Sequence, residues 1–216
     1  RDAFDEKERS RISLTYEFNG SGWIDAALAR VYKQESNTSQ ITREVRVPGT
    51  GGGPLDRVRS SEFDQEIEGV YVHLSSNYDI GAISNTATYG AETFETRSVS
   101  IREGSTSNAA GVAQVERTSF PTRDFPITDV RQTAFFIQNE SVLLSQRLRL
   151  TLGARYDDFE ADAMGDLVYF SGNPGTPLPS DFEDSETTLS ASVVYQLTDS
   201  ISSFLRYSEG FRAPPY

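Results

Sequence analysis

Apolar residues recur at every second position over long stretches of this chain, and that period constrains the fold more than any other feature. Leu148, Leu150, Leu152, Ala154 and Tyr156 share one parity, while Arg149, Thr151, Gly153, Arg155 and Asp157 share the other. Successive side chains on an extended strand point to opposite faces, so the stretch reads as a β-strand with one apolar face and one wet, charged face. The pattern repeats where Ile12, Leu14, Tyr16 and Phe18 alternate with Ser13, Thr15 and Glu17, and again at Leu189, Ala191, Val193, Tyr195 and Leu197. Val70, Val72 and Leu74 share a face, as do Ala87, Tyr89 and Ala91; Phe135 and Ile137 stand opposite Gln138 and Glu140. Trp23 to Glu35 and Ile201 to Ser208 are β-like, with the inward face undecided.

Eight strands are predicted, at roughly 9–18, 23–35, 64–76, 83–97, 130–143, 148–160, 186–197 and 201–209, and no helix. The connections fall into two populations. Tight turns are expected at Asn19-Gly20-Ser21-Gly22, around Asn77 to Ala82, at Ser145-Gln146-Arg147 and at Thr198-Asp199-Ser200. Long connections, Ser36 to Phe63, Ser98 to Asp129 and Ala161 to Ser185, are rich in Gly, Pro, Ser, Asn and acidic residues. Short and long alternate strictly, so the short turns gather at one rim of the sheet and the long loops at the other.

Soluble sandwiches and barrels use short connections at both ends, and three long structureless loops are foreign to them. A transmembrane β-barrel combines short turns on one side, long loops on the other, and aromatic girdles at both interfaces. Tyr16, Phe18, Trp23, Tyr89, Tyr156 and Tyr195 lie on or near strands as such girdles require. Composition agrees. Hydrophobic content is only 37%, yet Tyr (10) and Phe (13) are plentiful, so the apolar surface is disproportionately aromatic. No run approaches the ~20 apolar residues of a spanning helix, and the opening Arg1-Asp2-Ala3-Phe4 is not a signal peptide. The expected class is therefore all-β: an antiparallel up-and-down transmembrane barrel segment of about eight strands.

Charge and residue types narrow the function. With 32 acidic against 20 basic side chains the formal charge is −12, and the basic residues are scattered singly, which excludes a nucleic-acid partner. One histidine and no cysteine leave the chain without disulfides, thiolate zinc sites, multi-histidine metal sites or a cysteine nucleophile. No enzymatic activity, cofactor or metal is expected.

The closing segment, Tyr207-Ser208-Glu209-Gly210-Phe211-Arg212-Ala213-Pro214, resembles the Phe-Arg-Ala-Pro box of TonB-dependent outer-membrane receptors, above all their haem, haemoglobin and transferrin branch. Arg11 to Phe18 followed by Trp23 to Tyr32, Phe135 to Glu140, and Leu150 to Asp157 are similar to barrel strands of the same family. The resemblance implies a wall portion, residues 1–216, of a barrel of about 22 strands. It implies a folded plug and further strands that this sequence does not contain, and a place in a bacterial outer membrane. The implied function is import of an iron-bearing ligand such as haem or a siderophore. Implied partners are outer-membrane lipid, the iron-bearing ligand or its carrier protein at the extracellular loops, and the TonB system acting through the plug. The Asn-Pro-Asn-Leu motif that follows the box in the haem branch does not occur here. The alternative is a self-contained eight-stranded barrel with a structural or adhesive role.

The implied ligand-binding residues are Phe211, Arg212, Ala213 and Pro214, with Phe211 and Arg212 expected at the barrel mouth. An aromatic face and a guanidinium there suit a planar anionic ligand, and suit equally a girdle aromatic and a headgroup arginine. His73, on the wet parity, is expected to be a solvated lumen residue rather than a haem ligand. Asp157, Asp158, Glu160, Asp162 and Asp166 read as an acidic loop mouth rather than a calcium site. Glu66 and Glu68 share a face but have no identifiable pocket for acid/base work. Val47 to Pro54 is a glycine-rich loop tip without the lysine of a phosphate loop. Arg149, Arg155 and Arg206 are expected to meet acids such as Glu17, Glu140 and Asp157 inside the lumen.

Overall fold

The computed structural model describes residues 1–20, 22–46, 55–108, 110–116 and 119–212. Its framework is one sheet of eight antiparallel strands in strictly sequential order. They are β1 (Asp2–Asn19), β2 (Ala26–Arg46), β3 (Leu55–Ile80), β4 (Ile83–Asn108), β5 (Ile127–Leu143), β6 (Leu148–Met164), β7 (Phe182–Thr198) and β8 (Ile201–Ser208). Every strand pairs with its sequence neighbours, and β1 and β8 make no contact with each other. The sheet is therefore open, as expected for part of a larger barrel, and it is not the closed eight-stranded alternative.

Register assigns the faces. The row Glu17, Leu28, His73, Gly90, Phe136, Arg155, Thr188 runs across β1 to β7 on one face. One residue along, the row through Leu152, Asn139 and Ala191 lies on the other. That second face carries Ile12, Leu14, Tyr16, Val31, Val70, Phe135, Ile137, Leu152, Tyr156, Leu189 and Leu205, all largely exposed. A continuous apolar face of this extent is tolerated when lipid covers it, so it is the outward face and the polar one lines the lumen. Residues 148–160 pair with 130–143 as the alternation demands, with Leu148, Leu150, Leu152 and Tyr156 in one outward row.

The short rim follows local chemistry. Ile80 pairs with Ile83 across Gly81-Ala82, and Gly81 takes φ +63°, a conformation that needs no Cβ. The β5–β6 turn places Leu144, Ser145 and Gln146 at φ 51°, 51° and 73°, three successive left-handed residues without a glycine.

Strand length departs from the sequence reading. β2 continues to Arg46, β3 begins at Leu55 and β4 reaches Asn108, so most of the expected loop 36–63 and the first third of the expected loop 98–129 are strand. Beyond the lipid both faces are wet, hydrophobic alternation disappears, and the ladder is held by backbone bonds and charge pairs instead. On the outward face just above the apolar band, Lys33 binds Glu66 and Glu68, Arg131 binds Glu95 (2.7 Å) and Glu160 (3.5 Å), and Arg97 binds Asp129 (3.0 Å). A short helix, α1 (Leu167–Gly172), also stands where none was expected; Asp166 caps it by accepting from the Tyr169 amide at 2.8 Å.

Candidate functional site

The lumen face of the membrane-embedded part is bonded to itself. Arg155 is clamped between Asp157 (2.9 Å) and Glu92, and Arg149 reaches Glu140 at 3.4 Å. Glu66 and Glu68 are joined through Lys33 and so are no acid/base pair. The acidic run splits by strand parity: Asp157 faces the lumen with Arg155, Asp158, Glu160 and Asp162 face outward, and Asp166 caps the helix. Among the described residues no group of three or more His, Asp or Glu could hold a metal ion. His73 does lie on the lumen face, but packed rather than solvated: its ring is 6.2 Å from Tyr71 and 6.3 Å from Phe136, and its Nε2 is buried without a hydrogen bond. Phe136 has room there because Gly90 presents no Cβ; one would fall 2.6 Å from its ring and 2.1 Å from the Val72 carbonyl oxygen.

The predicted Phe-Arg-Ala-Pro box follows the end of β8. The Glu209 amide donates to the Leu189 carbonyl, and the Glu209 carboxylate accepts from the Leu189 amide at 2.8 Å. Leu189 pairs with Ala154 inside the outward apolar band. Phe211 is half-buried and Arg212 exposed, both in irregular backbone, and Ala213 and Pro214 lie outside the described residues, as does the 47–54 glycine loop.

A different cluster forms at the long-loop rim. Arg57, Arg59 and Arg102 fall on the lumen face because Arg57 pairs with Thr106, Arg59 with Gly104 and Ser61 with Arg102. Two adjoining clefts, of about 510 and 330 Å3, share these three arginines. Gly104 makes the arrangement possible, since a Cβ at that position would come 2.7 Å from Arg59 Cδ and 2.8 Å from its Nη1. Arg59 consequently lies flat across the ladder, donates to the Ser105 carbonyl (3.0 Å) and rests its guanidinium 4.8 Å from the Phe120 ring centroid. Glu116 Oε2 accepts from Arg59 Nη2 at 2.8 Å, Asp124 holds Arg102 at 2.6 Å, and Glu44 lies 3.6 Å from Arg57 and 3.3 Å from Arg46. With Arg1 on the wall of the larger cleft, five arginines face three carboxylates, a local cationic excess on a chain of net charge −12. A third cleft, of about 740 Å3 beside Glu8, Glu35, Asp64 and Glu66, is mainly acidic, with Arg9 and Arg97 also on its wall.

The loop above the arginines is anchored at one end. Arg102 and Thr122 exchange backbone bonds of 2.8 and 2.9 Å, Arg123 pairs with Asp166 at 3.0 Å, and Asn173 Nδ2 donates to the Arg123 carbonyl at 2.7 Å. The β4–β5 and β6–β7 connections are thus clasped together. Burial alone would push the Asp166 carboxyl up, but the Tyr169 amide and the Arg123 guanidinium outweigh it and hold the group below the usual carboxylate range.

An open, sequential antiparallel sheet with an apolar outer face, a polar lumen and charged clefts at one rim is a segment of a large outer-membrane-type barrel. The family described as TonB dependent receptor-like, beta-barrel matches residues 1–216. The chain belongs to that family. Family members are transport receptors of the outer membrane, not enzymes. Among solved structures the receptor segment is similar to BauA, the ferric preacinetobactin receptor from Acinetobacter baumannii, with a TM-score of 0.58 and 14% identity over 94% of this chain and 30% of that one. The ferric citrate transporter FecA in its unliganded form matches with a TM-score of 0.58 and 14% identity, over 93% of this chain and 27% of that one. At such identity the likeness is one of fold, and the segment spans under a third of either protein. No curated protein matches the sequence.

The arginine cluster was invisible in the sequence because its members are scattered singly. The available signal was Arg57-Val58-Arg59, two cations on one strand parity, with Gly104 as the vacancy across the ladder.

Proposed function

We propose that this stretch forms wall, lumen lining and extracellular loops of a receptor that captures an anionic iron-bearing ligand and imports it across the outer membrane. The convergence of Arg57, Arg59 and Arg102 on the lumen side of the long-loop rim carries the reading. Guanidinium groups offer several fixed donors each and bind carboxylate or phenolate oxygens without needing to titrate. Ferric chelates that carry net negative charge fit such a surface, and the resemblance to receptors for ferric preacinetobactin and ferric citrate supports a ferric chelate. The Phe-Arg-Ala-Pro box supports haem as the second reading, with Phe211, Arg212, Ala213 and Pro214 as its contact. Energy would arrive from the TonB system through a plug outside this stretch.

The test uses the full-length receptor carrying this stretch. Arg57→Gln, Arg59→Gln and Arg102→Gln are combined, folding is verified by heat-modifiable mobility, and binding of ferric citrate and of haem is measured separately from uptake. Loss of ferric citrate binding in a correctly assembled triple variant is the expected result; unchanged binding of both ligands would sink the arginine reading. Phe211→Ala with Arg212→Ala, assayed in the same way, tests the haem contact.

A further inference from the structure

Glu116 occupies the arginine cluster in an incomplete way. One carboxylate oxygen, Oε2, accepts from Arg59 Nη2 at 2.8 Å, while Oε1 is buried without a hydrogen-bond partner. In the same cleft Arg57 Nε is also buried and unpaired. A buried acceptor without a donor and a buried donor without an acceptor are each unfavourable, and here both residues line one cleft. A polyanion with several oxygens could satisfy Arg57 and Arg59 together, which a single carboxylate on a short tether does not.

Among the described residues the segment that carries Glu116 has that residue's bond to Arg59 as its one ion pair, whereas the rest of its loop is tied by two others, Arg123–Asp166 and Arg102–Asp124. The 119–126 half is fixed by the Arg102–Thr122 bonds and by the Arg123 clasp to Asp166 and Asn173. The 110–116 arm is held by hydrogen bonds to the end of β4: the Gln114 amide on the Thr106 carbonyl, the Asn108 amide on the Val112 carbonyl, the Gly111 amide on the Asn108 carbonyl, the Ala113–Ser107 bridge, and the Asn108 side chain accepting from the Ala110 and Val112 amides. Gly111 at φ +79° closes the turn of that arm, its amide donating to the Asn108 carbonyl at 2.9 Å. Arg59 would not collapse if Glu116 left, because Phe120 and the Ser105 carbonyl still hold its guanidinium.

We propose that Glu116 is a built-in counter-anion of the arginine site, displaced by an incoming polyanion, and that its displacement releases the 110–116 arm. This rests on the anionic-ligand reading above. The exchange breaks one ion pair and forms more than one, with no proton or covalent change. In the resting receptor Glu116 keeps Arg59 compensated, and an anion of low charge gains less than a polyanion by displacing it. Ligand occupancy is thereby converted into a change of loop position on the extracellular side.

The experiment uses the full-length receptor with citrate as the probe. The stretch contains no cysteine, so Val112→Cys, at an exposed position of the arm, takes an environment-sensitive fluorophore. Citrate is expected to shift the fluorescence, and Glu116→Gln to produce most of that shift without ligand. Glu116→Gln should also tighten citrate binding by about two- to fivefold, the factor that one competing ion pair commands. A residue that merely propped the loop would do the opposite, loosening the site and weakening binding. Arg57→Gln with Arg59→Gln separates the two ideas. If wild type and that double variant bind citrate alike, or wild type does not bind it, the arginine reading fails and the exchange with it. If the double variant loses citrate but Glu116→Gln weakens or leaves affinity unchanged, the arginine site stands and the exchange is overturned.

Discussion

Leu152→Arg and Thr151→Arg place the same charge on neighbouring residues of β6 and should have opposite fates. Leu152 pairs with Asn139 and Ala191 and points outward; Thr151 pairs with Glu140 and Ser192 and points into the lumen. The outward row from Leu148 to Tyr156 covers about 26 Å of strand at ~3.3 Å per residue. At a tilt of ~40° this is roughly 20 Å of height, most of a ~25 Å apolar band. Leu152 is the midpoint of that row, so an arginine there meets hydrocarbon on every side and cannot easily snorkel to either surface. The cost at such depth is ~2 to 4 kcal/mol. At ~1.4 kcal/mol per tenfold, ~3 kcal/mol is a loss of about two orders of magnitude in the folding constant. Thr151→Arg faces water and the Glu140 carboxylate, and should cost under ~1 kcal/mol. Both variants are made in the full-length receptor, and urea unfolding from lipid bilayers is followed by tryptophan fluorescence and heat-modifiable mobility. If Thr151→Arg proved as damaging as Leu152→Arg, or more so, the assignment of outward and lumen faces would be wrong throughout the sheet.

Three further outcomes follow from the packing and the rim. Gly90→Ala should destabilise the barrel by ~1 to 3 kcal/mol in the same assay, because the new Cβ would overlap the Val72 carbonyl oxygen at 2.1 Å and displace the Phe136 ring. Gly104→Val should leave assembly intact but push Arg59 off its bed, lowering ferric citrate binding about as much as Arg59→Gln does. The Arg123–Asp166 clasp should be pH-dependent with a definite sign: a carboxyl whose folded pKa is depressed stabilises the folded form fully above its unfolded value of ~3.9 and loses that contribution as pH falls through the lower folded value. Protection of the Tyr169 and Asn173 amides, relative to their intrinsic exchange at each pH, should therefore be unchanged from pH 7 to 5 and fall only in more acidic buffer, and Asp166→Asn should remove that transition.

Much of the membrane-embedded sheet could be read directly from the chain, because lipid on one side and water on the other force a strict period of two. The pairing of β5 with β6 and the short-turn rim at Gly81, at Ser145 and at Asp199 follow from residues alone. The exterior part of the sheet could not be read. Ser60, Ser61 and Glu62 on β3 look like loop residues, yet they are paired with β4 throughout, since strands wetted on both sides carry no hydrophobic signature. The arginine site was hidden for a related reason. Its members come from residues 57, 59 and 102, and only the register that sets Ser61 against Arg102 makes them neighbours. The short helix at Leu167–Gly172 is too brief to show a period, and Asp166 as its cap was absorbed into an acidic run.

The uninterrupted ladder between β3 and β4 restricts how the gene can change in length. Arg57 and Arg59 face the lumen only because Leu55–Ile80 and Ile83–Asn108 stay in step from the Gly81 turn outward. Adding or removing one codon within β3 between Arg59 and the membrane would rotate both arginines to the outer surface and carry Glu62 and Asp64 inward, since a one-residue slip exchanges the faces. Insertions and deletions compatible with the site are therefore of even length and matched on both strands, or confined to the connection beyond Arg46 and Leu55. On the role proposed for Arg57 and Arg59, the hairpin can be lengthened or shortened by paired steps, and a single unpaired step would undo the site as the loss of an arginine would.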